Sequence, residues 1–412
     1  MKDIGIIGAG VAALHLGLYL RQHGVEVSVY TNKTAEEVAE GLLLNSVSHH
    51  HVTVEREARL GVDHWPEDEY KYFCHNHYLG GDHPQFFRGD FTAPSRAIDY
   101  RIYLPRLMRD LEERGGRFVY RNMTVPDIED LTTVHDLVVV STGKGDIAGL
   151  FPRRADKSPY TRPMRKLAVG LWHGVRRREP NSVELSIAPG VGELLAIPMY
   201  SFGGHVMALL CENVPGGDLE VLTDQKYADD PEAYRRLMLD KLAQHHPTVF
   251  SRIDPNQFRL QGPKDILQGA VVPVLREDYV RLPNGKFLLA LGDVHSTVDP
   301  VVGQGANSAS YSAEEVGQCI VDDDVYDARF CEKVAHRRAT RVEATTDWVN
   351  EMVALPPAPH LQQFLGALAT HRSLCDEFTE NFSHPDRQMD LIATPERVAA
   401  AIARHSVLTP TA

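Results

Sequence analysis

Three short strings in this 412-residue chain carry residue types and spacings suited to holding a dinucleotide. The first, Gly8-Ala9-Gly10-Val11-Ala12-Ala13, has the G-x-G-x-x-A spacing. Gly8 allows a tight turn, Gly10 lets a pyrophosphate approach the backbone, and Ala13 lets the following helix sit close to its strand. The helix N-terminus, carrying roughly +0.5 charge, then faces the phosphates. The second string is Ser141-Thr142-Gly143, directly after an apolar run. The third is Gly292-Asp293 followed by Pro300-Val301-Val302-Gly303-Gln304-Gly305-Ala306-Asn307. Asp293 can accept hydrogen bonds from the ribityl hydroxyls of a flavin. The stretch from Gly303 to Asn307 opens a helix whose free N–H groups can stabilise negative charge on the N1–C2=O edge of a reduced isoalloxazine ring. One position dissents: the adenosine ribose site, usually Glu or Asp, reads Tyr30-Thr31-Asn32, so Thr31 offers only a hydroxyl.

These residues need strands and helices to position them. Ile4–Ile7, a helical stretch to about His23 stopped by Gly24, and the alternating Glu26–Tyr30 predict a βαβ unit at the start of the chain. Asp136–Val140 reads as another buried parallel strand, and Phe287–Leu291 as the strand that returns to this layer. A helix is expected from about Asp99 to Arg114, with Pro105 implying a kink or a late start. Between Leu167 and Glu212, four β-rich runs separated by Gly and Pro predict an inserted antiparallel sheet. Asp230-Pro231 caps a helix of about sixteen residues with Leu237, Leu239 and Leu242 as its apolar positions. Arg176-Arg177-Arg178 reads as a solvated hairpin turn, and the chain from about Tyr326 to His405 as mostly helical. The implied division is 1–165 with 263–325 for the dinucleotide domain, 166–262 for a substrate domain, and 326–412 for a helical C-terminal region.

Composition narrows the class. Lys+Arg 43 against Asp+Glu 56 gives a net charge of −13, a poor match for phosphate backbones, so nucleic acid is not expected as a partner. No apolar run approaches the roughly 18 residues of a bilayer span, and MKDIGII has no signal-peptide character. The five cysteines are scattered, without disulfide framework or metal spacing, which suits a reducing cytoplasm. His49-His50-His51 with His75 and His77 invites a metal reading, but adjacent histidines rarely converge on one ion, and no metal is expected.

In fixed order, the three glycine strings resemble the FAD-dependent monooxygenases of the para-hydroxybenzoate hydroxylase fold. That implies an α/β, Rossmann-like FAD domain with an inserted antiparallel-sheet substrate domain and a helical C-terminal region. In such a fold Arg101 is expected as a cation near the FAD phosphates. The strings GLLLNSVSHH, YKYFCHNHYLGG, APSRAIDYR, VVVSTGK, DILQGAVVP, GDVHSTVDPVVGQGAN and DEFTENFSHPDRQ are similar to the epoxidase component of two-component styrene monooxygenases, over nearly the whole chain. The related indole monooxygenases are a sister branch. The styrene-branch pattern Asn-Val-His-Tyr-His-Ser stands here as Asn45, Val47, His49, Tyr72, His75 and Ser95. Two departures are Leu42, where many members carry arginine, and Ser46, where threonine is common.

The resemblance implies that reduced FAD, delivered by a separate NADH-dependent reductase, reacts with oxygen to give a C4a-peroxyflavin that epoxidises a small aromatic alkene, with thioether S-oxidation as a side activity. It implies a homodimer as well. Asn45, Ser46 and His49 are the expected catalytic set, with Leu43, Leu44, Val47, Tyr72, His75, Ser95, Val301 and Val302 around the substrate. Expected cofactor contacts are Gly8, Gly10, Ala13, Thr31, Arg101, Thr142, Gly143, Asp293, Pro300, Gly303, Gln304, Gly305, Ala306 and Asn307. Alternatives are indole oxidation, a single-component NAD(P)H-dependent aromatic hydroxylase, and a flavin-fold protein that binds a partner without catalysis.

Overall fold

Strands that are apolar on both faces build the first layer, as expected where helices cover a parallel sheet. In the computed structural model, which describes residues 2–143 and 145–406, β1 (Asp3–Ile7) lies between β2 (Glu26–Thr31) and β6 (Leu137–Val140), parallel to both. Lys144 of the VVVSTGK string and residues 407–412 of the C-terminal region lie outside the described residues. The parallel strand β15 (Phe287–Ala290) and its antiparallel neighbour β14 (Tyr279–Arg281) extend one side, and β5 (Arg117–Tyr120) closes the other. Ile4, Ile6, Val27, Val29, Val138 and Val139 are fully buried. The helices Val11–Gln22, Tyr100–Glu113 and Gly305–Asp322 share one core with this sheet. Pro105 does not delay its helix, which begins at Tyr100 with Asp99 accepting the Arg101 N–H at 2.9 Å and carries Pro105 within its span.

The second sheet is larger than the 166–262 segment alone provides. Its order is β11 (Arg259–Leu260), β7 (Lys166–His173), β10 (Gly204–Asn213), β9 (Gly192–Ser201), β8 (Ser182–Ala188), β3 (Lys71–Leu79) and β4 (Gln85–Arg96), with β12 (Ile266–Ala270) also on β7. The four β-rich runs pair antiparallel as expected. The His-rich stretch adds a hairpin, β3 and β4, with β3 parallel to β8 and His75 opposite Val183. Residues 71–96 therefore sit in the second sheet although they fall within 1–165. Arg176-Arg177-Arg178 is not a hairpin turn, because β7 and β8 are separated by β10 and β9. Arg178 pairs with the buried Glu184, and Arg177 reaches the Glu69 carbonyl. The Pro231–His245 helix turns Tyr234, Met238 and Leu242 inward, while Leu237 and Leu239 are only half-buried.

The C-terminal region is helical, and its core gathers Trp348, Phe364, Phe378 and Phe382 with Val301 and Val302 of the glycine loop. A short pair, β13 (Val274–Leu275) with β16 (Ser296–Thr297), links the return segment to that loop. Among the described residues, no helix is long and apolar enough to cross a membrane, and all five cysteines are buried free thiols.

Candidate active site

The glycine strings, more than 100 residues apart in sequence, meet at the C-terminal ends of the parallel strands, where open α/β sheets bind ligands. Gly8, at φ 108°, packs so closely that an added Cβ would lie 3.0 Å from the Ser141 carbonyl oxygen, and one on Gly143 would lie 2.9 Å from the Cβ of Asp293. A Cβ on Gly10 would meet nothing within 4 Å, which leaves open space in front of the Val11–Gln22 helix. That helix has no side-chain cap and no acidic residue in its first turn, so its leading N–H groups suit a phosphate. Ala13 is fully buried against the core, and Thr31 and Thr142 are half-buried at the ends of β2 and β6. Asp293 presents an exposed carboxylate above β15. Gly303, at φ 60°, leads into the Gly305–Asp322 helix, whose N-terminus likewise has no side-chain cap, so the Gly305 and Ala306 amides are placed for an acceptor. These features fit FAD: a phosphate end at Gly10, a ribityl acceptor at Asp293, and a donor-rich end at Gly305.

Within this loop, two residues assigned to the cofactor spend their side chains on the protein. Asn307 is fully buried and uses its whole amide. Its Oδ1 accepts the His50 N–H at 2.9 Å and the Thr53 hydroxyl at 2.8 Å. Its Nδ2 donates to the Ser48 carbonyl at 2.8 Å and the Gly303 carbonyl at 2.9 Å. Asn307 is thus a clamp between the glycine loop and residues 48–53, and only its backbone can face a ligand. Gln304 donates to the Phe382 carbonyl at 2.8 Å and ties the loop to the C-terminal helices.

Next to the loop is a narrow, mostly apolar cleft with a cavity volume of about 20 Å³. Pro300, Val302 and Gly303 form one side, and Val183, Leu185, Leu195, Ile197 and Leu210 of the second sheet form the other. Of the expected set, Ser46, Val47, Tyr72, His75 and Val302 line it. The remaining ones do not. Leu43 packs with the second sheet and Leu44 against the first core. Val301 turns into the C-terminal core. Ser95 is buried opposite Tyr72 across the β3–β4 pair, and Asn45 is exposed. The Ser46 hydroxyl accepts the Tyr100 N–H at 3.0 Å, which fixes the loop to the start of a helix.

His49 is the largest departure. Extended backbone turns neighbouring side chains to opposite sides, so His49 leaves the cleft and His50 enters it. His49 Nδ1 lies 2.5 Å from Glu57, and its Nε2 lies 3.0 Å from the Tyr100 hydroxyl. Glu57 also accepts from Tyr103 at 2.7 Å and pairs with Arg96, which in turn pairs with Asp63. Burial opposes ionisation of Glu57, but His49 and Arg96 outweigh it and hold the carboxyl well below its usual range. Arg101 is similarly committed. It is 3% exposed, paired with Asp99 at 2.6 Å and with Asp265 at 2.5 Å, and its guanidinium lies over the Phe202 ring. Two carboxylates compensate its charge, so it is not the open cation expected for the phosphates.

His50 is the cleft residue that sequence reasoning missed. Among the described residues neither of its ring nitrogens has a hydrogen-bond partner, and burial pushes its pKa down to about 3. His75 sits between Phe91 and Phe382, with ring centroids 4.7 and 4.5 Å away, and burial likewise holds it neutral. Both rings are therefore polar but uncharged groups in an apolar wall.

Residues 143–252 match the family described as "Styrene monooxygenase A putative substrate binding domain". The chain is 49% identical over 402 residues to styrene monooxygenase StyA of Pseudomonas fluorescens, an alignment spanning 96% of both chains. The corresponding protein of Pseudomonas sp gives the same figures. The chain belongs to the styrene monooxygenase family. Among solved structures, the flavin-dependent brominase Bmp2 matches with a TM-score of 0.70 at 15% identity, covering 99% of this chain and 100% of that one. The p-nitrophenol 4-monooxygenase PnpA from Pseudomonas putida DLL-E4 matches with a TM-score of 0.64 at 12% identity, covering 94% and 99%. At such identities these likenesses concern the fold, which is the flavin monooxygenase fold expected from the three glycine strings.

Within this styrene monooxygenase family member, the sequence does carry a signal for part of what was missed. Val183 and Leu185, like Leu195 and Ile197, recur at the two-residue spacing of one strand face. Phe382 lies inside the NFSHPDR string, but nothing local in the sequence brings it to His75.

Proposed function

We propose that this chain is the oxygenase half of a two-component styrene monooxygenase, adding one oxygen atom of O2 to the vinyl group of styrene-like alkenes with FAD reduced by a separate NADH-dependent reductase. The observation that carries this reading is that an apolar cleft opens directly on Pro300, Val302 and Gly303, the loop that fits the flavin, within a chain 49% identical to StyA. Reduced FAD, when bound, supplies the oxygen-activating chemistry.

The chain's own residues hold and shield. Gly10 and the Val11–Gln22 helix receive the phosphates, Asp293 the ribityl hydroxyls, and the Gly305 and Ala306 amides the negative edge of the reduced ring. Val183, Leu195, Ile197 and Leu210 exclude water and orient an aryl group. His50 and His75, both neutral, offer N–H donors or nitrogen acceptors without the proton of an imidazolium. That arrangement suits oxygen transfer that needs a dry pocket rather than strong acid catalysis. We assign Asn45 to the flavin edge, with its uncoupling in Asn45→Ala as the check.

Purified chain, an NADH:FAD reductase, FAD and oxygen, supplied with styrene and indole in parallel, test this reading. Styrene oxide formed only with the reductase present is the expected result. Preferential indole oxidation would transfer the chain to the indole branch, and turnover with NADPH alone would refute the two-component reading. A homodimer, as in the expectation drawn from relatives, would appear as a doubled mass by light scattering.

A further inference from the structure

We propose that His51, Glu380 and His384 form a binding site for one divalent transition-metal ion of the zinc type, outside the substrate cleft. The three residues come from separate places: His51 from the first turn of the His51–Arg59 helix, Glu380 from the last turn of the Arg372–Glu380 helix, and His384 from the start of the Pro385–Ile392 helix. Their ligand atoms all lie within 4.8 Å of one another. His51 Nε2 is 2.7 Å from Glu380 Oε1, and His384 Nε2 is 3.8 Å from the same oxygen. Tetrahedral ligands at zinc distances stand about 3.3 Å apart, so the observed separations bracket that value and need only small side-chain shifts. Two histidines and a carboxylate are a donor set for zinc with one position left for water.

The surroundings supply the support that metal ligands require. Glu55 lies 3.6 Å from His51 Nδ1, the nitrogen that faces away from the proposed ion, and a small shift of its exposed side chain would bring the carboxylate within hydrogen-bond reach. The Thr92 N–H donates to Glu380 Oε2 at 2.9 Å, which orients the carboxylate and leaves Oε1 toward the histidines. A bound ion would join three chain segments beside His50 and Phe382, and so brace one wall of the cleft from behind.

The test is isothermal titration of the full chain, stripped with chelator, with Zn2+ near neutral pH. Expected is one ion per chain, weakened at least tenfold in His384→Ala and in Glu380→Gln. Glu55→Gln should weaken it as well, by about tenfold, as an outer partner does. His384 makes no side-chain cap bond to its helix, and His384→Asn with a thermal melt serves as a second variant that separates loss of binding from loss of fold. Absence of stoichiometric binding, or equal affinity in wild type and both ligand variants, would overturn the assignment.

Discussion

Asn307→Ala is the substitution whose consequence the structure specifies most fully. It removes four hydrogen bonds of 2.8 to 2.9 Å from a fully buried side chain. The His50 amide and the Thr53 hydroxyl lose an acceptor, and the Ser48 and Gly303 carbonyls lose a donor. At about 1 kcal/mol for each lost contact, the destabilisation is roughly 4 kcal/mol, less whatever water entering the space restores. At about 2 °C per kcal/mol for a chain of this size, the melting midpoint falls by roughly 8 °C. Because the clamp joins the glycine loop to the segment bearing Ser48 and His50, coupling of epoxide formation to consumption of reduced FAD falls too. The assay is a thermal melt followed by circular dichroism, paired with the ratio of styrene oxide to NADH consumed. Asn307→Asp keeps acceptor capacity but loses both donors and places a carboxylate before two carbonyls, so it is no better than alanine. An Asn307→Ala protein that melts like wild type with undiminished coupling would refute the clamp.

Other expectations are sharp enough to check. Asp293→Ala weakens FAD binding at least tenfold by fluorescence titration, and unchanged affinity would detach Asp293 from the ribityl site. His50→Leu removes two unpaired buried nitrogens, so it raises stability by about 1 kcal/mol while lowering coupling; loss of stability with coupling intact would place His50 in the core instead. The buried Glu212–Asp299 pair lies beneath the Pro300 loop; burial raises both pKa values, Asp299 to about 6, and the neighbouring Asp299 carboxylate raises Glu212 further. Acids with a raised folded pKa stabilise the fold fully below the ordinary carboxyl value, and that stability is lost as pH rises through the folded value. Glu212→Gln should therefore gain on wild type in urea melts as pH increases from about 4 to 8; parallel curves for the two proteins would show that the pair is not protonated in the fold.

The sequence alone settled what is local. Gly8, Gly10 and Ala13 stand at the spacing that the sterics of a dinucleotide-binding turn demand. The strands at Glu26–Thr31, Leu137–Val140 and Ser182–Asn213 follow from alternation or unbroken apolar runs. The family resemblance then proposes Asp293 and the Gly303–Asn307 loop for one flavin.

Packing decided the rest. A single residue of offset separates His49 from His50, yet extended backbone sends one to Glu57 and the other to the cleft. No local pattern shows which, because the choice depends on Glu57, Arg96 and Asn307 arriving from elsewhere in the chain. Arg101 looks like an available cation until Asp265, distant in sequence, neutralises it. The His-rich hairpin joins the second sheet only because β8 offers a parallel edge to β3. Charge compensation and strand pairing act between atoms near in space, and sequence distance carries almost no information about which atoms those are.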